Sequence, residues 1–437
     1  MEPPMTLTSG GSTTAPRTQM GRIVASSFTG SLIEYYDFLL YSTASAVVFN
    51  EVFFSNLDPV TGTIASFGTF AAGYLARPLG GVIFGHFGDR LGRKKMLVLT
   101  MLIMGVVSFL IGCLPTYGQI GAAAPVLLIV LRVIQGVAVG GEWGGAVLIT
   151  AEHATSRRGL WASFTNAGAP AGMVLSTAVM ALMATVTTPE QFTAWGWRVP
   201  FLLSILLLAV GLWIRLSVTE SPAFEAMKEK KADAKTPLME VLRNHPRTLL
   251  LAVGVGLGAF VVQGTLTTFL ISYALGAGFE RATVLNALTL SSAGAVVGIL
   301  GWSALSDRVG RRPVVLSAAV ATAVFAYLLF PMLDSGSTAL LVLAVVLGQS
   351  VIHAAFYGPL AALMSEVFKT SSRYTGASLG YQLAGMGAGL SPLLFASMQK
   401  AGASTLMLST VIAAFCLLSV FSLVRLGETS TRELVDA

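Results

Sequence analysis

The run Ala76-Arg77-Pro78-Leu79-Gly80-Gly81-Val82-Ile83-Phe84-Gly85-His86-Phe87-Gly88-Asp89-Arg90-Leu91-Gly92-Arg93-Lys94-Lys95 decides how the chain is read. An apolar, glycine-studded stretch carries one arginine, then ends in a knot of charge before the next apolar run begins at Met96. This is how one membrane helix ends, turns tightly on basic residues and gives way to another. The knot returns as Ser306-Asp307-Arg308-Val309-Gly310-Arg311-Arg312, about half of the 437 residues later, so the chain reads as two copies of one unit.

Composition leaves one class open. Hydrophobic residues make up 54% of the chain, charged residues 11%, and mean hydropathy is +0.76, whereas a soluble domain carries about 25% charge. Apolar stretches of about 20 residues, each long enough to cross about 30 Å of hydrocarbon as a helix, recur throughout. Twelve spans are predicted, at 22–49, 63–87, 95–115, 125–150, 160–185, 197–216, 248–275, 283–305, 313–333, 337–363, 374–398 and 402–425. They imply an all-α membrane protein of two pseudo-symmetric six-helix bundles, 22–217 and 248–425. A polar cytoplasmic linker, 218–247, joins the bundles; a disordered Ser/Thr/Pro-rich tail, 1–21, precedes them and a second tail, 426–437, follows. The basic charge of the linker suits a solvated helix near anionic lipid, or else a regulatory contact.

A net charge of +6 would suit nucleic acid, but its placement argues otherwise. With loops counted from a cytoplasmic N-terminus, only Arg198, Arg281 and Lys400 of the 27 basic residues fall on the outer side. Arg77 and Arg132 lie inside spans, and the others face inward, which puts both termini in the cytoplasm and excludes a nucleic-acid partner. Cys113 and Cys416 sit in apolar segments, so no disulfide framework, zinc site, other metal or cofactor is expected.

Ionisable groups at membrane depth cost on the order of 2.5 to 3.5 kcal/mol each, so each should be paired or line water. Glu34 and Asp37, three apart, share a face of the first span. Arg77 lies near the middle of the second; Arg132 and Glu142 lie in the fourth, on either side of Gln135 and Gly136. Two acids from one helix and two bases from its neighbours can trade a proton against an anionic ligand. Arg77 or Arg132 would receive a substrate carboxylate. Glu34 or Asp37 would bind a proton once its arginine turns away, because losing a nearby positive charge makes a carboxylate easier to protonate. The alternative is a set of fixed salt bridges holding the helices in register.

The second half is poor in charge within its spans. Its polar candidates are Gln263 and Tyr273 in the seventh span, Gln349, His353 and Tyr357 in the tenth, and Tyr381 and Gln382 in the eleventh. His353 could carry a proton or serve as a neutral hydrogen-bonding residue. The first half would then do the coupling and the second shape the pocket. At the cytoplasmic mouth stand Asp89, Arg90 and Arg93, their repeat Asp307, Arg308 and Arg311, and beside them Glu152, Arg158, Glu366 and Arg373. Acid and base from opposite halves are expected to latch that mouth and release it as the halves rock. Gly136-x-x-x-Gly140 and Gly294-x-x-x-Gly298 are expected to let helix backbones approach closely.

At these residues the chain resembles the major facilitator superfamily. Gly85-x-x-Gly88-Asp89-Arg90-x-Gly92-Arg93-Lys94-Lys95 is similar to its loop motif after the second helix, the Asp307 copy to the second-half counterpart, and Arg132-x-x-Gln135-Gly136 to the fourth-helix motif. More narrowly, Tyr36-Asp37-Phe38, Ala76-Arg77-Pro78-Leu79-Gly80-Gly81, Gly140-Gly141-Glu142-Trp143-Gly144-Gly145, Trp195-Gly196-Trp197-Arg198-x-Pro200-Phe201 and Arg373-Tyr-x-Gly376-Ala-Ser-Leu-Gly380-Tyr-Gln382 resemble the metabolite:proton symporter family. That group includes shikimate, α-ketoglutarate, citrate and proline/betaine permeases.

The resemblance implies a monomeric, proton-driven importer of a small organic acid or zwitterion, multi-pass in a bacterial inner membrane, with protons, substrate and lipid as partners. It adds Tyr36 and Trp143 to the substrate-binding candidates. The chain ends at Ala437 without the long C-terminal coiled coil of osmosensing betaine permeases, and its pattern is closest to the shikimate-type branch. Gly168-Ala-Pro170-Ala-Gly172 matches the fifth-helix motif of drug antiporters only in part, which keeps an exporter as the alternative. A non-transporting receptor would use the same pocket. No His-Glu-x-x-His, Gly-x-Ser-x-Gly or phosphate-loop motif occurs, and an enzyme is not expected.

Overall fold

The computed structural model of the chain describes residues 17–91, 93–140, 147, 150, 157–217, 237–368 and 373–429. Within these, the side chains of 17–20, 22–23, 85–91, 93–94, 214–217, 237–240 and 373–374 lie outside the description. Among the described residues, twelve long helices carry the fold. In the first half they are α1 (Arg17–Val47), α2 (Pro59–Leu91), α3 (Arg93–Cys113), α4 (Ala123–Gly140), α5 (Arg158–Val186) and α6 (Pro189–Trp213). The second half has α7 (Pro246–Gly276), α8 (Arg281–Val309), α9 (Arg311–Asp334), α10 (Thr338–Val367), α11 (Arg373–Lys400) and α12 (Thr405–Leu426). Each coincides with a predicted span, and no strand occurs among the described residues.

Local chemistry sets the boundaries. Proline, which needs no amide partner in a first turn, opens α2, α6 and α7. Ser404 caps α12 by accepting the Met407 amide. Between α8 and α9 the chain reverses on Gly310, whose φ of 99° a side chain would strain. This is the tight turn expected inside the second charge knot.

Nine of the helices are long and apolar enough among the described residues to cross a membrane by composition alone. The other three are α1, α2 and α11. They carry Glu34 and Asp37, Arg77, and a run of glycine with Tyr381 and Gln382, respectively, and they pack at the centre. From Ser31 to Val47, α1 is buried almost without a break.

The packing repeats. α1 packs on α5 and α7 on α11; α2 on α4 and α8 on α10; α3 on α6 and α9 on α12. Two cross-half contacts, α5 with α8 and α2 with α11, follow the same rule. Each contact therefore recurs six helices later, as two pseudo-symmetric bundles require. α3, α6, α9 and α12 turn outward with Leu99, Leu206, Val324 and Leu417 exposed, an apolar girdle suited to lipid.

Glycine permits the closest crossings. A Cβ on Gly136 would collide with the Gly73 carbonyl, and one on Gly140 with the Arg77 carbonyl, so α4 lies directly on the α2 backbone. In the second half a Cβ on Gly298 would strike the Ser350 carbonyl and come within 2.9 Å of Ala354 Cβ, whereas Gly301, one turn on, has open space around it. Gly298→Ala should therefore lower stability by about 1 to 3 kcal/mol through overpacking. Gly301→Ala should be neutral or stabilise by up to about 1 kcal/mol, from helix propensity alone. Thermal unfolding of the two detergent-purified variants checks the opposite signs.

Candidate functional site

Helical spacing divides the duties of α1. Tyr35, Leu39 and Ser42 face the second half, while Glu34, Asp37, Phe38 and Tyr41 face the interior of the first bundle. The Ser42 and Thr268 hydroxyls hydrogen-bond across the halves, joining α1 to α7.

Inside the first bundle, Arg132 is fully buried. Its guanidinium carbon lies 3.9 Å from the Phe38 ring centroid, 4.2 Å from Tyr41 and 5.1 Å from Phe70. Nη1 donates to Gln135 Oε1 at 2.5 Å, while Nε and Nη2 have no partner among the described residues. A desolvated cation over an aromatic face gains about 2 kcal/mol. Three such faces can offset an intramembrane cost of about 3 kcal/mol without any carboxylate. Gly73 makes the room, since a Cβ there would run into the arginine side chain.

Asp37, 2% exposed, sits elsewhere on the same helix. Ser204 of α6 donates to its Oδ1. Ser108 of α3 accepts from Gln135 Nε2 at 2.8 Å. Arg132, Gln135 and Ser108 thus form one chain of polar contacts inside the bundle. No direct ion pair joins Arg132 to Asp37 among the described residues, so the fixed salt bridge weighed as an alternative is absent between these two.

Arg77 points toward the second half. It lies 5.0 Å from the Tyr74 ring centroid and 5.3 Å from Phe38, in the electrostatic reach of Tyr35, Tyr74, Tyr381 and Glu34. Its Nε and Nη2 also lack partners among the described residues. The neighbouring hydroxyls form a chain across the halves, with Tyr35 Oη 3.3 Å from Tyr381 Oη and Tyr381 Oη 2.5 Å from Tyr357 Oη. His353 stacks on Tyr357 with ring centroids 5.5 Å apart, and its Nε2 lies 3.1 Å from the Ala259 carbonyl oxygen.

Beyond Tyr357 lies a cavity of about 20 Å³, room for a single water. Leu39, Pro170 and Met173 wall it from the first half, and Gln263, Thr267, Gln349, His353 and Tyr357 from the second. The Gln263 side-chain oxygen is buried and has no partner among the described residues. Gln349 and His353 ride on a π-helical stretch, Val346–His353, and α7 has another at Thr265–Phe269. Such widened turns recur at functional positions.

The predicted candidates therefore separate. Arg77, Tyr381, Tyr357, His353, Gln349 and Gln263 converge between the halves. Gln382 is nearby but spans them, its Nε2 donating to the Gly140 carbonyl at 3.0 Å. Arg132, Gln135, Glu34 and Asp37 stay inside the first bundle. Tyr36 turns away from the centre and donates to the Pro200 carbonyl at 2.7 Å. Tyr273 donates to Asp334 near the end that carries Glu51. Glu142 and Trp143 lie outside the described residues.

At the end carrying Asp307 the contacts differ in kind from the expected side-chain pairs. The two Asp307 carboxylate oxygens accept the Gly159 and Leu160 amides at 2.8 and 2.9 Å, so a carboxylate from α8 caps the N-terminus of α5 in the other half. Among the described residues, the ion pairs of Arg311 stay within one half. Arg311 binds Asp307 at 2.7 Å and Glu366 at 3.1 Å, and Glu428 accepts the Arg311 and Arg312 amides. Arg308 is exposed. Arg158 stands in the first turn of α5, beside the capped amides. Asp89, Arg90, Arg93, Glu152 and Arg373, as side chains, lie outside the description.

The opposite end closes by contacts that sequence reasoning missed. Arg281 approaches Glu51 at 3.7 Å and donates to the Val47 carbonyl at 3.3 Å; Lys400 meets Asp58 at 4.0 Å and also bonds Thr61. The Thr61 hydroxyl, ahead of its amide, holds the Asp58 carboxyl below the usual carboxylate range and so keeps it charged for Lys400. Two of the three basic residues left on the outer side by the charge count bridge the halves here, the one signal that marked them. The third, Arg198, donates to the Gly112 and Leu114 carbonyls and caps α3 beside the buried Trp197 cluster. Ser108, Ser204, Tyr35 and Tyr74 were also missed, since small hydroxyls and aromatics carry no signal in an apolar span.

Comparison with known proteins agrees with this arrangement. The Major Facilitator Superfamily model matches residues 27–392. The chain is 40% identical to the shikimate transporter of Escherichia coli, covering 86% of this chain and 87% of that protein. It is 31% identical to the proline/betaine transporter of Salmonella typhimurium, covering 96% and 86% respectively. Among solved structures, the xylose transporter XylE of E. coli in a partially occluded inward-open conformation superposes with a TM-score of 0.74 at 20% identity, covering 95% of this chain and all of that one. These relatives are transporters and not enzymes. Matched along most of its length, the chain belongs to the major facilitator superfamily.

Proposed function

We propose that this transporter imports a small carboxylate-bearing metabolite, an organic acid or zwitterion of the shikimate kind, together with protons. One observation carries the reading: a buried arginine, Arg77, with N–H groups that have no partner among the described residues, adjoins a cavity between the halves through the hydroxyls of Tyr35, Tyr381 and Tyr357. A guanidinium suits a carboxylate, and the neutral Gln263, Gln349 and His353 suit hydroxyl or amine groups on the remainder of the ligand. The relatives' names, a shikimate and a proline/betaine transporter, supply two such molecules.

Access alternates by rocking of the halves. The basic residues put the Asp307 end and both termini in the cytoplasm, so Asp307 on the α5 amides forms the inner lock, and Glu51 with Arg281 and Asp58 with Lys400 form the outer one. Each unit works as a monomer in the bacterial inner membrane, its girdle against lipid. With both locks engaged the centre is closed from either side. Cargo enters when the outer pairs part and leaves when Asp307 releases α5. Asp37 and Glu34 are the carboxylates placed to carry the proton, Arg132 and Arg77 the cations whose engagement governs them.

Proteoliposomes loaded at higher internal pH and offered labelled shikimate, proline and betaine test the reading. Asp37→Asn and Arg77→Ala should each lower gradient-driven accumulation at least about tenfold, a loss of about 1.4 kcal/mol or more in coupling, while both proteins insert normally. Near wild-type accumulation in both would exclude the scheme. For the inner lock, Asp307→Asn should speed maleimide labelling of a single cysteine introduced at Ser303, by weakening a charge-assisted contact of about 1.5 to 3 kcal/mol. An unchanged labelling rate would remove Asp307 from that role.

A further inference from the structure

We propose that Leu266 is a specificity-determining wall. It parts the polar cavity between the halves from a second, apolar cavity inside the second bundle, and so limits the apolar substituent that a carboxylate ligand can carry. The proposal rests on the importer reading above and deepens it with a residue that is neither charged nor polar.

The second cavity, also about 20 Å³, lies among α7, α9, α10 and α12. Val262 reaches it from α7, Phe325 and Ala326 from α9, and Ile412 from α12. Two hydroxyls stand at its wall, Thr265 and Thr322, but each is turned to its own helix and donates at 2.7 Å, to the Val261 and Ala318 carbonyls respectively. What faces the space is hydrocarbon. A cavity of this kind stays dry and takes an apolar group, whereas the central one offers Gln263, Gln349 and His353.

Leu266 is the side chain common to both walls, and it is 2% exposed. Its place follows from the widened turn at Thr265–Phe269. Gln263 and Thr267, one turn apart, face the central cavity; Val262 and Thr265 face the second; Leu266 falls between. On α10, Gln349 and His353 face the centre and Gly348 the second cavity. Gly348 has no side chain with which to part them, and the two Leu266 methyl carbons lie 3.4 and 3.6 Å from where its Cβ would stand. Leucine on one helix therefore fills what glycine on the other leaves open.

A ligand with its carboxylate toward Arg77 and its polar groups on Gln263 and Gln349 meets Leu266 with its far end. With leucine there, a compact ligand fits, and one that carries an alkyl branch beyond its polar groups is refused. A shorter side chain at this position joins the two spaces and gives that branch a hydrocarbon lining. Each methylene so buried is worth about fourfold in affinity.

Two measurements on the full-length protein in detergent test the wall. The first needs no ligand: Thr322→Cys, in a chain also carrying Cys113→Ser and Cys416→Ala, places a single thiol at the second cavity, and a small polar methanethiosulfonate reports its access. Leu266→Ala should speed that reaction at least about tenfold, one decade in rate, and Leu266→Val, which keeps more of the packing, by less. Leu329→Ala, which shortens the second cavity's wall elsewhere, should leave the rate within about twofold. An unchanged rate in both Leu266 variants, or an equal rise in Leu329→Ala, overturns the wall and leaves Leu266 an ordinary core residue. The second measurement is thermal stabilisation by cyclohexanecarboxylate and its para-methyl, para-ethyl and para-propyl derivatives. In the wild type affinity should fall as the substituent lengthens; in Leu266→Ala it should rise, by about fourfold per methylene, and Ala326→Leu, which fills the second cavity, should cancel the rise. The same falling order in the wild type and Leu266→Ala overturns the wall. Absence of stabilisation by every one of these carboxylates counts against the importer reading instead, and the labelling rates still decide the wall.

Discussion

A guanidinium sunk in hydrocarbon has to be satisfied, and Arg132 is satisfied by rings. Phe38, Tyr41 and Phe70 surround it and one amide binds it, so its charge is stabilised without consuming a carboxylate. Much of the first bundle is arranged around that choice. Gly73 gives up its side chain to admit the arginine, and Gly136 and Gly140 bring α4 onto α2 closely enough to hold it there. α1 must present Phe38 and Tyr41 inward, which by helical spacing puts Asp37 against α3 and α6 and Tyr35 toward the other half. A direct Arg–Asp pair would have been stronger but closed to exchange. Ring contacts hold a cation and leave its N–H groups available.

The two halves share a scaffold but not a charge pattern. Packing pairs recur six helices on, yet the ionisable groups at depth belong to the first half, while the second supplies Gln263, Gln349, His353 and tyrosine hydroxyls. Neutral amides and hydroxyls can face a ligand at modest desolvation cost, whereas charges need compensation in every state of the cycle. Separating the two lets the pocket wall vary in shape without disturbing the charged network. The hydroxyls of Tyr35, Tyr381 and Tyr357 form a chain that starts near Arg77 and ends at Tyr357, which lines the cavity.

Depth in the membrane was legible from composition; direction around each helix was not. The twelve spans, the paired charge knots and the buried Arg77 and Arg132 follow from hydropathy and from the cost of ions in lipid. Gln263, Gln349 and His353 stood out as polar residues in apolar runs and do line the central cavity. Tyr36 looked equivalent to Tyr35, but one step along a helix turns a side chain by about 100°, enough to send its hydroxyl to Pro200. Asp307 was expected to seek a base across the halves and instead binds two backbone amides. Amides at a helix N-terminus occur in every sequence alike, so residue types could not point to them. The outer pairs escaped notice for a related reason: single charges in short loops read as topology markers until a fold brings Glu51 to Arg281.

The two locks differ in strength, and the difference bears on direction. Arg311, which orders Asp307, is 3% exposed as a side chain, its partners Asp307 and Glu366 10% and 0%. At the other end the pairs are open to water, Glu51 at 46%, Lys400 at 47% and Asp58 at 61%. Exposed pairs contribute about 0 to 1 kcal/mol each, whereas a carboxylate held by helix amides, with its neighbours buried, contributes about 1.5 to 3 kcal/mol through charge-assisted bonds. From a closed state the polar contacts at the Glu51 end therefore part at lower cost than those at the Asp307 end. If the Asp307 end is cytoplasmic, as the basic residues argue, an unloaded molecule is biased to open outward. The inner lock then needs help to yield, and the loaded site is where that help must arise. Under the proposed importer reading, such a bias suits uptake.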